Sequence, residues 1–179
     1  ILFAIIVSFS FFGCDPEIPR INQEFVSTDV DNYWEAYDKI VPTNDSILQY
    51  QYINDLYIDK GSEGLKNIMI ARSYTAQNYV EAINNYPKFW ASVRENTRKS
   101  KEFEQSITES IAKLKAVYPN LELAPIYFTI GSFKTNGTIL EKKVLIGNEM
   151  AFADKSTYID ELPEWRKPFF KEYNPIAGL

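Results

Sequence analysis

The sequence predicts an α+β domain: an N-terminal helical bundle, then a small antiparallel sheet, then C-terminal helices. Three observations carry that expectation. From Val30 to Val117 apolar residues recur at three- and four-residue steps, at Ile126 the period turns strand-like, and beyond Gly147 the chain becomes acidic and helical again.

Ile18 to Val26 reads as a short strand or an extended lead-in. Thr28 or Asp29 then caps a helix whose Val30, Tyr33, Trp34, Tyr37 and Ile40 share a face, and Pro42 ends it. Asp45 opens a second helix through Leu48, Tyr52, Leu56 and Tyr57 that stops at Gly61; the stretch Tyr50 to Ile58 also alternates as a strand does, with helix the preferred reading. Ser62 leads a short helix carrying Leu65, Ile68, Met69 and Ala71. Thr75 caps the next, with Tyr79, Val80 and Ile83, and Pro87 takes the first position of a helix bearing Phe89, Trp90 and Val93. Lys101 to Val117 is the most regular of all. Its stripe is Phe103, Ile107, Ile111, Leu114 and Val117, and Glu109 and Lys113 pair on the wet face. Pro119-Asn120 terminates it. Ile126 to Ile130, Thr138 to Leu140 and Val144 to Ile146 are the strands, with Asn136-Gly137 a strong turn signal. Helices are expected again over Tyr158 to Trp165 and Pro168 to Tyr173.

Charge and composition narrow the function. Net charge is −5, and the densest basic cluster, Arg94, Arg98, Lys99 and Lys101, is interleaved with Glu95, Glu102 and Glu104, so nucleic acid is not an expected partner. Hydrophobic residues make up 45% and aromatic residues 15%, which places the chain among globular rather than disordered proteins. Histidine is absent from all 179 residues. Ser-His-Asp and Cys-His catalysis fall with it, as does a zinc site of the usual imidazole kind. Chemistry performed by this chain alone would run on carboxylates, Lys, Tyr or Ser.

The N-terminus points to a compartment. The apolar run Ile1 to Phe12 ends at Gly13-Cys14, and Cys14 is the sole cysteine. Twelve residues make roughly 18 Å of helix against the roughly 20 residues a membrane span needs, which suits a signal-peptide core. A small residue before a lone cysteine at the end of such a core resembles the lipobox of bacterial lipoproteins. Phe11 and Phe12 replace the usual Leu and small residue of that motif. The resemblance implies acylation of Cys14 and anchoring in the cell envelope, at the outer membrane; the alternatives are a buried structural cysteine after an ordinary signal peptide, or a membrane anchor. Acylation removes what would otherwise be an odd free thiol in an exported chain. The expected division is 1–13 signal peptide, 14–24 lipidated tether and 25–179 a single α+β domain. With no initial Met and no basic n-region, the sequence is expected to lack residues upstream.

The segment Tyr118 to Gly131, continuing through Ser132 to Thr138 and Leu145-Ile-Gly-Asn-Glu149, resembles a bacterial domain family predicted to be zinc-dependent peptidases. Its members carry a strand ending in Ile-Gly, a Gly-Gly-Thr type of turn and a strand of the Ile-Gly-x-Glu kind; here Asn136 replaces the first glycine of the turn. Glu63 to Arg72 and Asn85 to Trp90 also look like the helical half of lipoproteins of that group from Bacteroidota. The resemblance implies a zincin-like fragment. In the family a His-Glu-x-x-His helix follows the acidic segment, and this sequence ends before it. The chain is therefore expected to be the scaffold portion of a zinc-dependent peptidase, incomplete at its C-terminus and inert by itself. No catalytic residue, metal ligand or cofactor is expected in it, and zinc would bind only with the missing helix. The alternative is a non-enzymatic envelope or gliding-motility-type binding lipoprotein. A glycan-binding lipoprotein is a third reading, resting on Trp34, Tyr37, Tyr50, Tyr52, Tyr57, Tyr86 and Trp90, which read equally as core.

By the same resemblance, Leu145, Ile146 and Gly147 offer backbone groups to an extended peptide by β-augmentation, with Glu149 at the end of that strand. For Glu149 the plainer alternative is a solvent-facing glutamate on an interior strand. Gly131, Gly137 and Gly147 read as turn or bulge residues with positive φ. Asp154, Asp160, Glu161 and Glu164 could hold calcium or simply form a hydrated surface; their spacing lacks the Asp-x-Asp-x-Asp-Gly pattern. The expected partners are a membrane, through the lipid, and a peptide or envelope protein.

Overall fold

The computed structural model describes residues 18–171, so Cys14 and the apolar run before it lie outside the described residues. After a two-residue strand β1 (Phe25–Val26), helix α1 (Thr28–Ile40) buries the face marked by periodicity: Val30, Tyr33, Trp34, Tyr37 and Ile40. Its N-cap is Ser27, not Thr28 or Asp29. Asp29 is buried and turned elsewhere, its carboxylate accepting from Ser62 N at 2.8 Å and from the Ser62 hydroxyl. That side chain ties α1 to Ser62, the N-cap of a later helix.

Asp45 caps α2 (Ser46–Ile53) as expected, accepting from Ile47 N at 2.9 Å and Leu48 N at 3.3 Å. The chain then runs on as a wider π-helical turn, Asn54–Ile58, so Tyr50 to Ile58 is helical rather than a strand. Helix α3 (Glu63–Arg72) starts at Ser62, α4 (Ala76–Asn85) at a Thr75/Asn78 capping box and α5 at Pro87, ending at Arg98. Helix α6 (Ser100–Val117) carries the regular stripe, yet that stripe is only half covered. Phe103, Ile107 and Ile111 pack partly against the core, while Leu114 and Val117 are exposed.

The remaining strands are β2 (Ile126–Thr129), β3 (Gly137–Leu140) and β4 (Lys143–Gly147), in the order β1-β2-β4-β3. The expected antiparallel sheet is in fact mixed. Only the β3–β4 hairpin is antiparallel; β1 pairs with β2, and β2 with β4, in parallel. The cause is topological: all six long helices intervene between β1 and β2, and β3 is carried to the outside so that β4 returns beside β2. The hairpin turn is Glu141-Lys142, both at positive φ (48° and 61°), and not Asn136-Gly137. Gly137 begins β3, where the Thr135 hydroxyl accepts from its N–H at 3.1 Å and donates to its C=O at 2.7 Å.

Helix α3 covers one face of the sheet. It sits so close that a Cβ on Gly64 would lie 2.2–2.4 Å from atoms of Tyr127. On the other face Phe128 stacks on Phe25 and meets Phe152, which Phe103 of α6 covers in turn. The helical layer is centred on an aromatic cluster. Tyr33 lies 5.1 Å from Trp90, 5.2 Å from Trp34 and 5.3 Å from Tyr57, and all four are fully buried. Trp34 donates to Thr97 Oγ1 and Trp90 to Ala82 O, each at 2.9 Å. Two indoles spent on the core leave the glycan-platform reading without its principal surface.

The helix expected over Tyr158 to Trp165 is a run of turns. Asp154 and Thr157 draw the backbone away from the helix: Ser156 N donates to Asp154 Oδ1 at 2.8 Å and Asp154 N to Thr157 Oγ1 at 3.0 Å. What helix there is amounts to single turns, α7 (Asn148–Ala151) and α8 (Pro168–Lys171). Among the described residues no helix is long and apolar enough to cross a membrane.

Candidate functional site

The residues expected to receive a peptide do not sit at an edge. Leu145, Ile146 and Gly147 lie on β4, which has β2 on one side and β3 on the other, so their backbone groups are taken by the ladders. The open edge belongs to β3. Gly147 N donates to Asn136 O at 3.0 Å, which marks residues 136 and 147 as a hydrogen-bonded pair. Alternation along an antiparallel ladder then points Thr138 and Leu140 inward to β4, and turns the N–H and C=O of Gly137 and Ile139 outward. Thr135 satisfies Gly137. Ile139 is left as the outward-facing unit, and its side chain is 74% exposed.

Beneath that edge lies an apolar cavity of about 290 Å³, lined by Ile107 of α6, Ile126 of β2, Ile139 of β3, and Val144 and Ile146 of β4. Leu145 and Ile146 therefore do border a concavity, through wall rather than free backbone. The half-covered stripe of α6 forms its other side.

Glu149 neither ends a strand nor faces solvent. It is the second residue of α7 and wholly buried. Its carboxylate accepts from Gly131 N at 2.9 Å and Phe133 N at 3.1 Å, clamping the turn that follows β2. Burial outweighs those two donors and pushes its pKa up to about 7. Phe133 is held in the left-handed region at φ 61°, its ring packed 4.7 Å from Phe89 and 5.2 Å from Trp90. Just before the turn, Tyr57 donates to Ile130 O and accepts from Ile130 N at 3.0 Å, so a phenol replaces the missing strand neighbour. Tyr33, Tyr57 and Tyr79 are raised well above their usual pKa, first by burial and also by the Glu149 charge, and stay protonated. With no solvent access, Glu149 is a structural clamp and does not reach a substrate.

Gly131, Gly137 and Gly147 serve by size, not by φ; among the described residues no glycine has a positive φ. A Cβ on Gly131 would meet Tyr74 Oη at 2.6 Å and Glu149 Oε1 at 2.9 Å. The acidic stretch is dispersed: Asp154 binds Ser156, Glu161 caps α5 by accepting from Lys88 N and Phe89 N, and Glu164 pairs with Lys167. Among the described residues no three His, Cys, Asp or Glu side chains converge to hold a metal ion.

Sequence reasoning missed the β3 edge, the hairpin turn at Glu141-Lys142 and Arg166, whose guanidinium packs against Phe133 and Trp165. The paired apolar residues Ile139 and Val144 hinted at the first; nothing local marked the others. Comparison with family models, with curated proteins and with solved structures finds no match to this chain.

Proposed function

We propose that the chain is the peptide-receiving scaffold of a lipid-anchored cell-envelope protein, tethered through Cys14 and resembling the zinc-dependent peptidase group. An extended peptide adds to the outer edge of β3, antiparallel strand pairing supplies the main-chain hydrogen bonds, and alternate apolar side chains drop into the cavity below. The observation that carries this reading is the outward-facing, unladdered Ile139 at the rim of that cavity. Zinc chemistry, on this reading, belongs to a histidine-bearing helix outside this sequence, and no step of it is assigned to residues here.

Proline offers a clean test. At Ile139 it removes an outward N–H and leaves the β3–β4 ladder intact, whereas at Thr138 it breaks the ladder. A pool of labelled, acetylated and amidated peptides with apolar residues at alternate positions is titrated by fluorescence anisotropy. Ile139→Pro is expected to abolish binding at unchanged melting temperature. Undiminished binding by that variant overturns the edge. Metabolic labelling with an alkyne fatty acid, lost in Cys14→Ser, tests the anchor separately.

A further inference from the structure

Arg166 is the least satisfied cation among the described residues. Its guanidinium packs against two rings, 5.0 Å from the Phe133 centroid and 4.7 Å from that of Trp165. Its Nε and Nη1 are buried and make no hydrogen bond. Burial lowers its pKa, so the site works against the very charge it holds. Buried donors on a charged group ordinarily find an acceptor. Glu149, whose charge it feels, does not hydrogen-bond it; the Glu149 oxygens accept from the amides of Gly131 and Phe133.

Arg166 lines two adjoining cavities of different character. One, of about 150 Å³, is polar, with Asn78, Asn85 and Ser132 on its walls; the other, of about 250 Å³, is apolar, with Met150, Phe169 and Phe170. Lys134 lines both. Its ammonium donates to Arg72 O, Ser73 O and Asn78 Oδ1. Glu81, which accepts from Gln77, is the one carboxylate on the walls of the polar cavity. Two cations against one anion is an unusual balance for a chain of net charge −5. A third cavity, of about 320 Å³, shares Lys134, Met150 and Phe169 with the apolar one and reaches Thr135 and Asn136, at the head of β3. The trough thus leads from Arg166 to the open edge.

We infer that Arg166 is a specificity site for the C-terminal carboxylate of a peptide whose last side chain is apolar. The planar fork of a guanidinium matches a carboxylate with two parallel hydrogen bonds, and the neighbouring apolar cavity takes the terminal side chain. Trp165, 64% exposed, is the wall that yields when the carboxylate enters. The inference rests on the peptide reading, and the two fail separately.

The test compares one fluorescein-labelled hexapeptide ending in Leu as the free acid and as the amide, on the unaltered chain. The acid is expected to bind about tenfold tighter, and the preference to fall within about twofold in Arg166→Gln. Arg166→Lys, which keeps the charge but not the fork, restores only part of it. Equal binding of acid and amide, or a preference that survives Arg166→Gln, overturns the assignment. The acid-against-amide comparison needs no variant, so loss of the Arg166–Phe133 stacking cannot confound it. Decanoate binding as tightly as the peptide acid overturns the peptide as occupant. If Ile139→Pro abolishes binding while acid and amide bind alike, the carboxylate site falls and the edge stands; an acid preference kept in Ile139→Pro has the opposite meaning.

Discussion

Substituting Glu149 by Gln removes the titration of the buried clamp, and the effect can be worked through. In the unfolded chain this carboxyl loses its proton near 4.5; in the folded one it keeps it to about 7. Between those values the native state binds more protons than the unfolded state, so stability falls as pH rises. The contribution is fully present below pH 4.5 and lost as pH passes through about 7. At 1.36 kcal/mol per pH unit the gap corresponds to roughly 3 kcal/mol, a large share of what a domain of this size holds in reserve. The groups facing Glu149 do not blur the window. Tyr33, Tyr57, Tyr74 and Tyr79 all titrate above their usual value, and Arg166 stays cationic. Asp29, also raised by burial, slopes the same way in both proteins and cancels in the difference. Urea denaturation followed by tryptophan fluorescence across this range should show the parent losing stability towards neutral pH and Glu149→Gln losing much less. A parent-minus-variant difference that stays flat from acid to neutral pH refutes the burial argument.

Three further variants probe the fold. Gly64→Ala drives a Cβ into the Tyr127 ring and should cost about 1–3 kcal/mol in urea denaturation, since α3 must lift off the sheet. Asp29→Ala strands Ser62 N at the joint between α1 and α3 and should cost about 1–3 kcal/mol by the same assay. Glu141→Asn with Lys142→Gly puts the preferred pair into a turn that needs positive φ twice, and should raise the thermal midpoint. A lower midpoint in that double variant argues against the turn geometry.

What the sequence revealed and what it hid divide along the range of the interactions involved. Asp45, Ser62, Thr75 and Pro87 announce their helices because a cap is settled within three residues. Strand identity at Ile126, Thr138 and Val144 is equally local. The order of those strands is not, and neither is which one ends at an edge; both depend on where a chain of six helices delivers β1. Asp29 looked like a cap and serves as a tertiary tie, because its partner Ser62 is brought to it only by the fold. Glu149 looked like a surface residue for the same reason: its acceptor role exists only once the turn at Gly131 to Phe133 has formed. The alternating run of α6 promised a covered stripe, and Leu114 and Val117 remain exposed.

The parallel pairing of Phe25 with Ile126 also has a temporal side. About 100 residues must be made before the first strand meets its neighbour, a loop whose closure entropy slows assembly and favours early local helices. During synthesis, N-terminus first, the leading strand and the aromatic face of α1 emerge long before their partners. Apolar surface stays uncovered for that interval, so variants that delay β2 should aggregate before they lose equilibrium stability.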